Sequence, residues 1–207
     1  MNIFKRIIIF VLAIFLCALG IAVSTQAELG TTPISTLPYV LTFIAPLSFG
    51  ASTAIICAVF MLLQILILKK NFKLVEYLQM AVAVFFGAFI DIGMRLAEPF
   101  KSGVYVGNVI MLVAGSAILA FGICLECHAD FLYVPGEGLV RAVSSKYGFE
   151  FGKIKILFDL LLCFLSAVLS IAVLHEIHGL GEGTVMSAIL VGTFVYLFRR
   201  IWFLHAK

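Results

Sequence analysis

The chain has 207 residues, of which 63% are hydrophobic and 12% charged, with a formal net charge of +3. Soluble domains are about 45–50% apolar and about 25% charged, so this composition, with a mean hydropathy of +1.19, excludes an ordinary soluble domain and predicts a membrane protein. No basic run is interleaved with aromatic residues, so we expect no nucleic-acid partner.

The first predicted element is an apolar segment at 7–27, which follows Lys5 and Arg6. Its end, Thr25-Gln26-Ala27, resembles the cleavage site of a signal peptide. An equivalent apolar segment occurs at 104–126, in the middle of the chain, where it cannot be a signal peptide. We therefore predict that 7–27 is a retained membrane helix.

A shorter helix is predicted next, at 33–45. Thr32 is a suitable N-cap and Pro33 suits the first helical position. Thirteen residues make roughly 20 Å of helix, too short for a hydrocarbon core of about 30 Å. The segment is therefore predicted to be a half-helix that enters the membrane and returns.

The remaining elements repeat this plan, and the fold class is all-α. We predict a polytopic membrane protein with six transmembrane helices and two re-entrant half-helices. The six spans are 7–27, 51–68, 74–94, 104–126, 153–174 and 184–198, and the half-helices are 33–45 and 135–145.

An internal duplication organises the chain. Shifting Gly20–Gly50 by 102 positions places it on Gly122–Gly152, with Ala27 on Ala129, Pro33 on Pro135, Leu37 on Leu139 and Phe49 on Phe151. Repetition at half the chain length indicates a duplicated unit, which is common in transporters. We predict a first repeat at 1–100 and a second at 101–207, which together form one membrane domain.

The positions of the basic residues predict the topology, because cytoplasmic loops are enriched in Lys and Arg. With both half-helices re-entrant and both termini cytoplasmic, only Arg95 and Lys101 of the 14 basic residues lie outside. The other twelve are cytoplasmic: Lys5, Arg6, Lys69, Lys70, Lys73, Arg141, Lys146, Lys153, Lys155, Arg199, Arg200 and Lys207. Three spans per repeat is an odd number, so the two repeats are predicted to be inverted relative to each other.

The predicted binding site consists of the N-terminal ends of the two half-helices, facing each other near the midplane. Such ends present unpaired N–H groups and a partial positive charge, which attract a polar or anionic solute. The candidate residues are Thr31, Thr32 and Ser35 in the first repeat and Gly136, Glu137 and Gly138 in the second. The alternative is that Thr32 and Glu137 only cap their helices.

Two acids, Glu28 and Asp130, occupy equivalent positions in the repeats, just after the first span of each. An ionisable residue at membrane depth is expected to be functional, so both are candidates for proton or ion coupling. At the interface they would be ordinary helix-end acids. Two further acids, Asp91 and Asp159, each have a basic residue four positions away, which predicts ion pairs with Arg95 and Lys155.

The cysteines and histidines predict no cofactor and no metal. Cys17, Cys57 and Cys163 lie in apolar runs, where a thiol acts as a small hydrophobe. Cys124, Cys127 and His128 form a C-x-x-C-H pattern, which is also the haem-attachment signal, but the stretch is predicted at the cytoplasmic end of a span. Whether this cluster binds anything stays open. No catalytic set appears, and we expect no enzyme.

The sequence resembles the YitT/YczE group of bacterial multi-pass membrane proteins. The resemblance rests on Ala27-Glu28-Leu29-Gly30 followed by Pro33 and by Ser48-Phe49-Gly50, and on Pro135-Gly136-Glu137-Gly138-Leu139 in the second half. Members often have Trp-Asp after the first proline, where this chain has Ile34-Ser35. The resemblance implies the architecture and a bacterial inner membrane, without naming a substrate.

These observations predict a membrane transporter or channel for a small polar or anionic solute. Its expected partners are the lipid bilayer and the solute, and homo-oligomerisation stays open. Two other classes remain as alternatives. One is a structural or regulatory membrane protein that acts with a partner subunit, and the other is an enzyme or a haem or metal protein that uses the cluster at 124–128.

Overall fold

The structure is a computed structural model that describes residues 2–204, so Lys207, one of the predicted cytoplasmic residues, lies outside the described residues. Residues 2–204 form helices joined by turns, and no β-strand occurs among them. The α-helices are α1 (Ile3–Gln26), α2 (Thr36–Ile44), α3 (Phe49–Leu68), α4 (Leu78–Ala97), α5 (Tyr105–Ala129), α6 (Pro135–Tyr147), α7 (Phe151–Leu174) and α8 (Glu182–Leu204).

The all-α class is confirmed, and a helix stands at each predicted span. Six helices among the described residues, α1, α3, α4, α5, α7 and α8, are long and apolar enough to cross a membrane. This is the pattern of a multi-pass membrane protein. The two short helices are also present, and α6 begins at Pro135 as predicted.

The first short helix differs from its prediction at its start. Residues 33–35 form a 3₁₀ turn and the α-helix begins only at Thr36, so Ser35 rather than Thr32 is the N-cap residue. Pro38 explains the delay. In an α-helix starting at Pro33 it would lie in the interior, where its missing N–H would cost a hydrogen bond. In a helix starting at Thr36 it lies in the first turn, where no N–H partner is required.

The chain folds into two compact units, and each draws segments from both halves of the sequence. Among the described residues, the first unit contains 2–32, 89–131 and 179–204, and the second contains 33–88 and 132–178. The division at residue 100 describes the duplication in the sequence and stays a prediction.

In the first unit, α1 and α5 pack against each other in opposite directions. Paired positions along the two helices are Cys17 with Gly122, Gly20 with Leu119, and Ser24 with Gly115. As residue numbers rise along α1 they fall along α5. Glycine is required at these crossings, because a Cβ on Gly20 would overlap the backbone of Leu119 and a Cβ on Gly122 would lie 2.7 Å from the Cys17 nitrogen.

These contacts are reciprocal under the 102-residue shift. Under the shift, Gly20 corresponds to Gly122 and Cys17 corresponds to Leu119. Gly20 contacts Leu119, and Gly122 contacts Cys17, so the two contacts are equivalent. The Cys17 Sγ also lies 3.9 Å from the Leu119 carbonyl oxygen. In a symmetric dimer such reciprocity marks a two-fold axis. Here both partners belong to one chain.

The second unit contains α2, α3, α6, α7 and the first half of α4. Its apolar cluster centres on Phe60, Leu139 and Leu162, which are at most 6% exposed. Residues from the start of the first short helix, Ile34 and Leu37, pack against this cluster. The 3₁₀ turn and the first turn of α6 therefore belong to the same unit and share its core.

Candidate functional site

The first turn of α6 contains two glycines, which allow neighbouring groups to approach its backbone closely. Pro135 occupies the start of the helix, where its missing N–H is not needed. Pro135, Gly136 and Gly138 are buried, whereas Glu137 is partly buried. The Gly138 N–H is satisfied by the Val134 carbonyl at 3.0 Å. Two glycines in one turn leave its backbone uncovered by side chains of its own.

The starts of the two short helices meet at Gly136. A Cβ on Gly136 would lie 2.7 Å from Ile34 Cδ1 and 3.6 Å from a ring carbon of Phe60. Ile34 is the middle residue of the 3₁₀ turn that leads into α2. The structure thus brings together the first turns of both predicted half-helices, and an apolar side chain lies between them.

Two buried glutamine side chains border the other glycine of this turn. Gln64 Nε2 donates to the Pro135 carbonyl at 2.9 Å and to Gln79 Oε1 at 3.1 Å. A Cβ on Gly138 would lie 2.7 Å from Gln64 Oε1 and 2.8 Å from Gln79 Oε1. The amides therefore fit against α6 only because residue 138 is glycine.

The charged residues nearest Glu137 are Lys155, Arg141 and Asp159. Lys155 Nζ contacts both carboxylate oxygens of Asp159 at 2.6 and 2.8 Å, which confirms the predicted ion pair. The guanidinium of Arg141 lies 3.7 Å from the centre of the Tyr133 ring, a cation–π contact.

At the start of α2 the groups are hydroxyls. Ser35 is 3% exposed. Thr36 Oγ1 donates to the Pro33 carbonyl at 2.8 Å and accepts from Ser166 Oγ at 2.9 Å. This hydroxyl pair links α2 to α7 and contains no ionisable group.

Thr31 and Thr32 belong to the first unit, whereas the other four predicted binding residues belong to the second. Both threonines are buried. The Thr31 hydroxyl lies 2.6 Å from that of Thr25, and the Thr31 N–H donates to the Gly179 carbonyl at 3.1 Å. Thr31 thus helps to hold the loop that follows α1.

Glu28 and Asp130 lie at the ends of α1 and α5 in matching conformations. Both have a left-handed backbone, with φ of 57° and 43°. Glu28 pairs with Lys101 at 3.1 Å and Asp130 pairs with Arg6 at 3.3 Å. Each acid thus contacts a basic residue of the other repeat. The two carboxylate side chains are 61% and 75% exposed.

The cysteine cluster at the end of α5 has an ordinary packing environment. Cys124 Sγ lies 3.8 Å from the Val195 carbonyl oxygen. In the described part of the chain, no three His, Cys, Asp or Glu side chains are grouped as a metal site would require. The expectation that the protein carries no cofactor stays a prediction.

Sequence reasoning missed Gln64 and Gln79. The signal was present, because each is an amide inside a predicted apolar span, at 51–68 and 74–94 respectively. A polar side chain in such a span needs a polar partner. Glu126, which is 2% exposed in α5, is another buried polar residue within a predicted apolar span.

The helices and these buried polar groups define the class of the protein, a multi-pass helical membrane protein. The chain belongs to a family of unknown function, DUF6198, whose model matches residues 4–200. The relation to the YitT/YczE group stays a prediction. No curated protein and no solved structure matches the chain.

Proposed function

We propose that the protein is a bacterial inner-membrane transporter or channel for a small polar or anionic solute. Its N- and C-termini are cytoplasmic in this proposal, and its two repeats are inverted. The solute binds between the N-terminal ends of the two short helices, near the membrane midplane. It is not an enzyme, and no residue has a catalytic role.

The packing of α1 and α5 supports the inverted repeats. The two helices are equivalent under the 102-residue shift, and they run in opposite directions with reciprocal contacts at Gly20 and Gly122. Equivalent helices in opposite directions are the arrangement that inverted-topology repeats require. The matching left-handed conformations of Glu28 and Asp130 give independent support for the equivalence.

The lengths of α2 and α6 support their assignment as re-entrant helices. They contain 9 and 13 residues, or roughly 14 and 20 Å of helix at 1.5 Å per residue. Neither length crosses a hydrocarbon core of about 30 Å. Helix ends at membrane depth are tolerated where they are buried in protein or line an aqueous cavity.

The observation that carries the binding site is the contact between the two helix starts at Ile34 and Gly136. In this proposal Ser35, Gly136, Glu137 and Gly138 contact the solute, and Thr31 and Thr32 precede them in the chain. Movement of Ile34 away from Gly136 then exposes the first turn of α6. Glu28 and Asp130 are the proposed coupling acids.

The experiment that tests this function is thermal unfolding of the detergent-purified protein against a panel of small anions, amino acids, nucleobases, vitamins and metal ions. A ligand that binds only the folded state stabilises it by about 2.7 kcal/mol at one hundred times its dissociation constant. The expected result is a raised midpoint that is lost in Glu137→Gln and Ser35→Ala. Ser145→Ala is the control, since Ser145 is exposed on the same helix α6.

No shift with any compound would contradict the proposal. It would favour the alternative of a structural or regulatory protein, and the next experiment would be purification with a partner subunit. A shift that survives both substitutions would place the ligand elsewhere in the protein.

A further inference from the structure

The first unit contains a cavity of about 340 Å³ beside α5. One wall is a single face of α5, formed at helical spacing by Gly107, Ile110, Met111 and Ala114. Val23 of α1 forms another wall. Protein interiors contain few voids larger than a water molecule. A cavity of this size lies in the range of ligand sites, roughly 300–1,000 Å³.

The lining of the cavity decides the chemistry of its occupant. Val23 and Met111 also belong to the apolar core cluster of the first unit. The polar side chain in the lining is Ser102, whose hydroxyl is already hydrogen-bonded to the Val104 backbone at 3.2 Å. Water needs several polar partners to occupy a cavity, so hydrocarbon suits this lining better than water or a polar solute.

The cavity opens towards the hydrocarbon of the bilayer. Ile110 and Ala114 are exposed on α5, which is long and apolar enough to cross a membrane. The distance from Gly107 to Ala114 along the helix axis is roughly 10 Å, at 1.5 Å per residue. An acyl chain that lies along α5 can therefore enter the cavity from the side without passing polar groups.

One end of the cavity lies at the start of α5, where the membrane interface is expected. Phe100 and Ser102 line this end and precede the helix, which begins at Tyr105. Phe100 is 75% exposed and Tyr105 is 56% exposed. Exposed aromatic residues at the end of a span are typical of the interface between hydrocarbon and headgroups. A lipid chain in the cavity would therefore have its headgroup beside this turn.

A lysine stands at the same end of the cavity. Lys101 lies in the chain between the lining residues Phe100 and Ser102. Its ammonium contacts Glu28 Oε1 at 3.1 Å, and the two side chains are 44% and 61% exposed. An ammonium group has three N–H donors, so this ion pair leaves donors for a phosphate oxygen. The positive charge complements the phosphate of a lipid headgroup.

We propose that this cavity binds one acyl chain of a membrane phospholipid, with the phosphate of the same lipid at Lys101. The chain lies against the face of α5 between Gly107 and Ala114. Glycine is required at position 107, because a Cβ there would overlap Ser102. The inference depends on the membrane location of the helices and is independent of the proposed transport function.

The test is native mass spectrometry of the full-length protein in detergent, titrated with dioleoyl phosphatidylglycerol. The expected result is one lipid that binds each chain more tightly than the rest. Ala114→Phe is expected to raise its dissociation constant about tenfold, because the ring displaces methylene groups of the lipid from the cavity. Ala172→Phe in α7 is the matched control, since Ala172 is also exposed on a membrane helix. It is expected to leave the binding unchanged.

A second pair of variants tests the headgroup end of the site. Lys101→Ala is expected to raise the dissociation constant about fivefold, which is the effect of one lysine near a phospholipid surface. Lys153→Ala is the matched control, because Lys153 forms an exposed ion pair with Glu150 at 3.2 Å. It is expected to bind the lipid as the unmodified protein does.

Three results would overturn the inference. Equal dissociation constants for Ala114→Phe and the unmodified protein would show that the lipid binds elsewhere. An equal loss in Ala114→Phe and Ala172→Phe would show general lipid contact over the apolar surface. If Lys101→Ala binds the lipid as tightly as Lys153→Ala, the phosphate is not recognised and the phospholipid assignment is wrong. The small-solute panel is unaffected by each of these results, so the two proposals can fail separately.

Discussion

The two short helices occupy equivalent places in the sequence repeat, yet their first turns differ in chemistry. The start of α2 is a 3₁₀ turn with buried hydroxyls, and Thr36 links it to Ser166. The start of α6 is regular from Pro135 onward, contains Glu137, and is bordered by two glutamine amides. The start of α2 is neutral and its Thr36 hydroxyl is hydrogen-bonded within the protein, whereas the start of α6 carries a carboxylate and packs against two glutamine amides.

The segments that precede these helices are much more alike. Glu28 and Asp130 share a left-handed backbone, and each makes one ion pair with the other repeat. The duplication has therefore kept the turn that ends each first span, while the first turns of the short helices have diverged. The two halves therefore differ most at the first turns of their short helices. Two predictions test this contrast.

The largest expected effect on stability is that of Gly138→Ala. Its Cβ would lie 2.7 and 2.8 Å from the two glutamine oxygens, so the variant must separate the amides or shift α6. Overpacking of this kind costs about 1–3 kcal/mol. The free energy of unfolding in mixed detergent measures the change.

The matched control is Gly152→Ala near the start of α7, where no atom lies within 4 Å of the added Cβ. It is expected to be neutral or to stabilise the protein by up to about 1 kcal/mol, because alanine favours helix over glycine. Equal stability of both variants would mean that the glutamine pair is not held against α6.

More of the fold than of the candidate site could be predicted from the sequence, because helices depend on local properties and the candidate site depends on contacts between distant residues. Helix length and apolar content are local properties, so the spans could be predicted from the sequence, and the short helices from their proline and capping residues together with the repeat. The sequence predicted a helix from Pro33, whereas residues 33–35 form a 3₁₀ turn and the α-helix begins at Thr36. The difference arises because Pro38 is disfavoured in a helix interior but accepted in a first turn. The sequence repeat identified Gly20 and Gly122 as equivalent positions. Their reciprocal contacts could not be predicted from it, because they depend on α1 packing against α5.

The site itself needed contacts between distant residues. Glu137 and the two glycines could be proposed from the sequence because the features of a helix N-terminus are local. Gln64 and Gln79 are separated by 15 residues, and Gln64 by 71 from Pro135. Nothing local indicates that these groups meet, so only the packing of α3, α4 and α6 assembles them.

The smallest effect on stability is expected for Glu28→Cys and Asp130→Cys, because exposed ion pairs contribute only about 0.2–1 kcal/mol. These variants therefore stay folded in a background without native cysteines, and a membrane-impermeant maleimide can report the side on which each lies. The two acids end antiparallel helices, and their side chains are 61% and 75% exposed. Inverted repeats place the two acids on opposite sides of the membrane. With cytoplasmic termini, Glu28→Cys is labelled from outside intact cells. Asp130→Cys is then labelled only after permeabilisation, like the predicted cytoplasmic control Glu150→Cys. Labelling of both acids from one side would leave the duplication in place but rule out the inversion, and with it the site between two opposed half-helices.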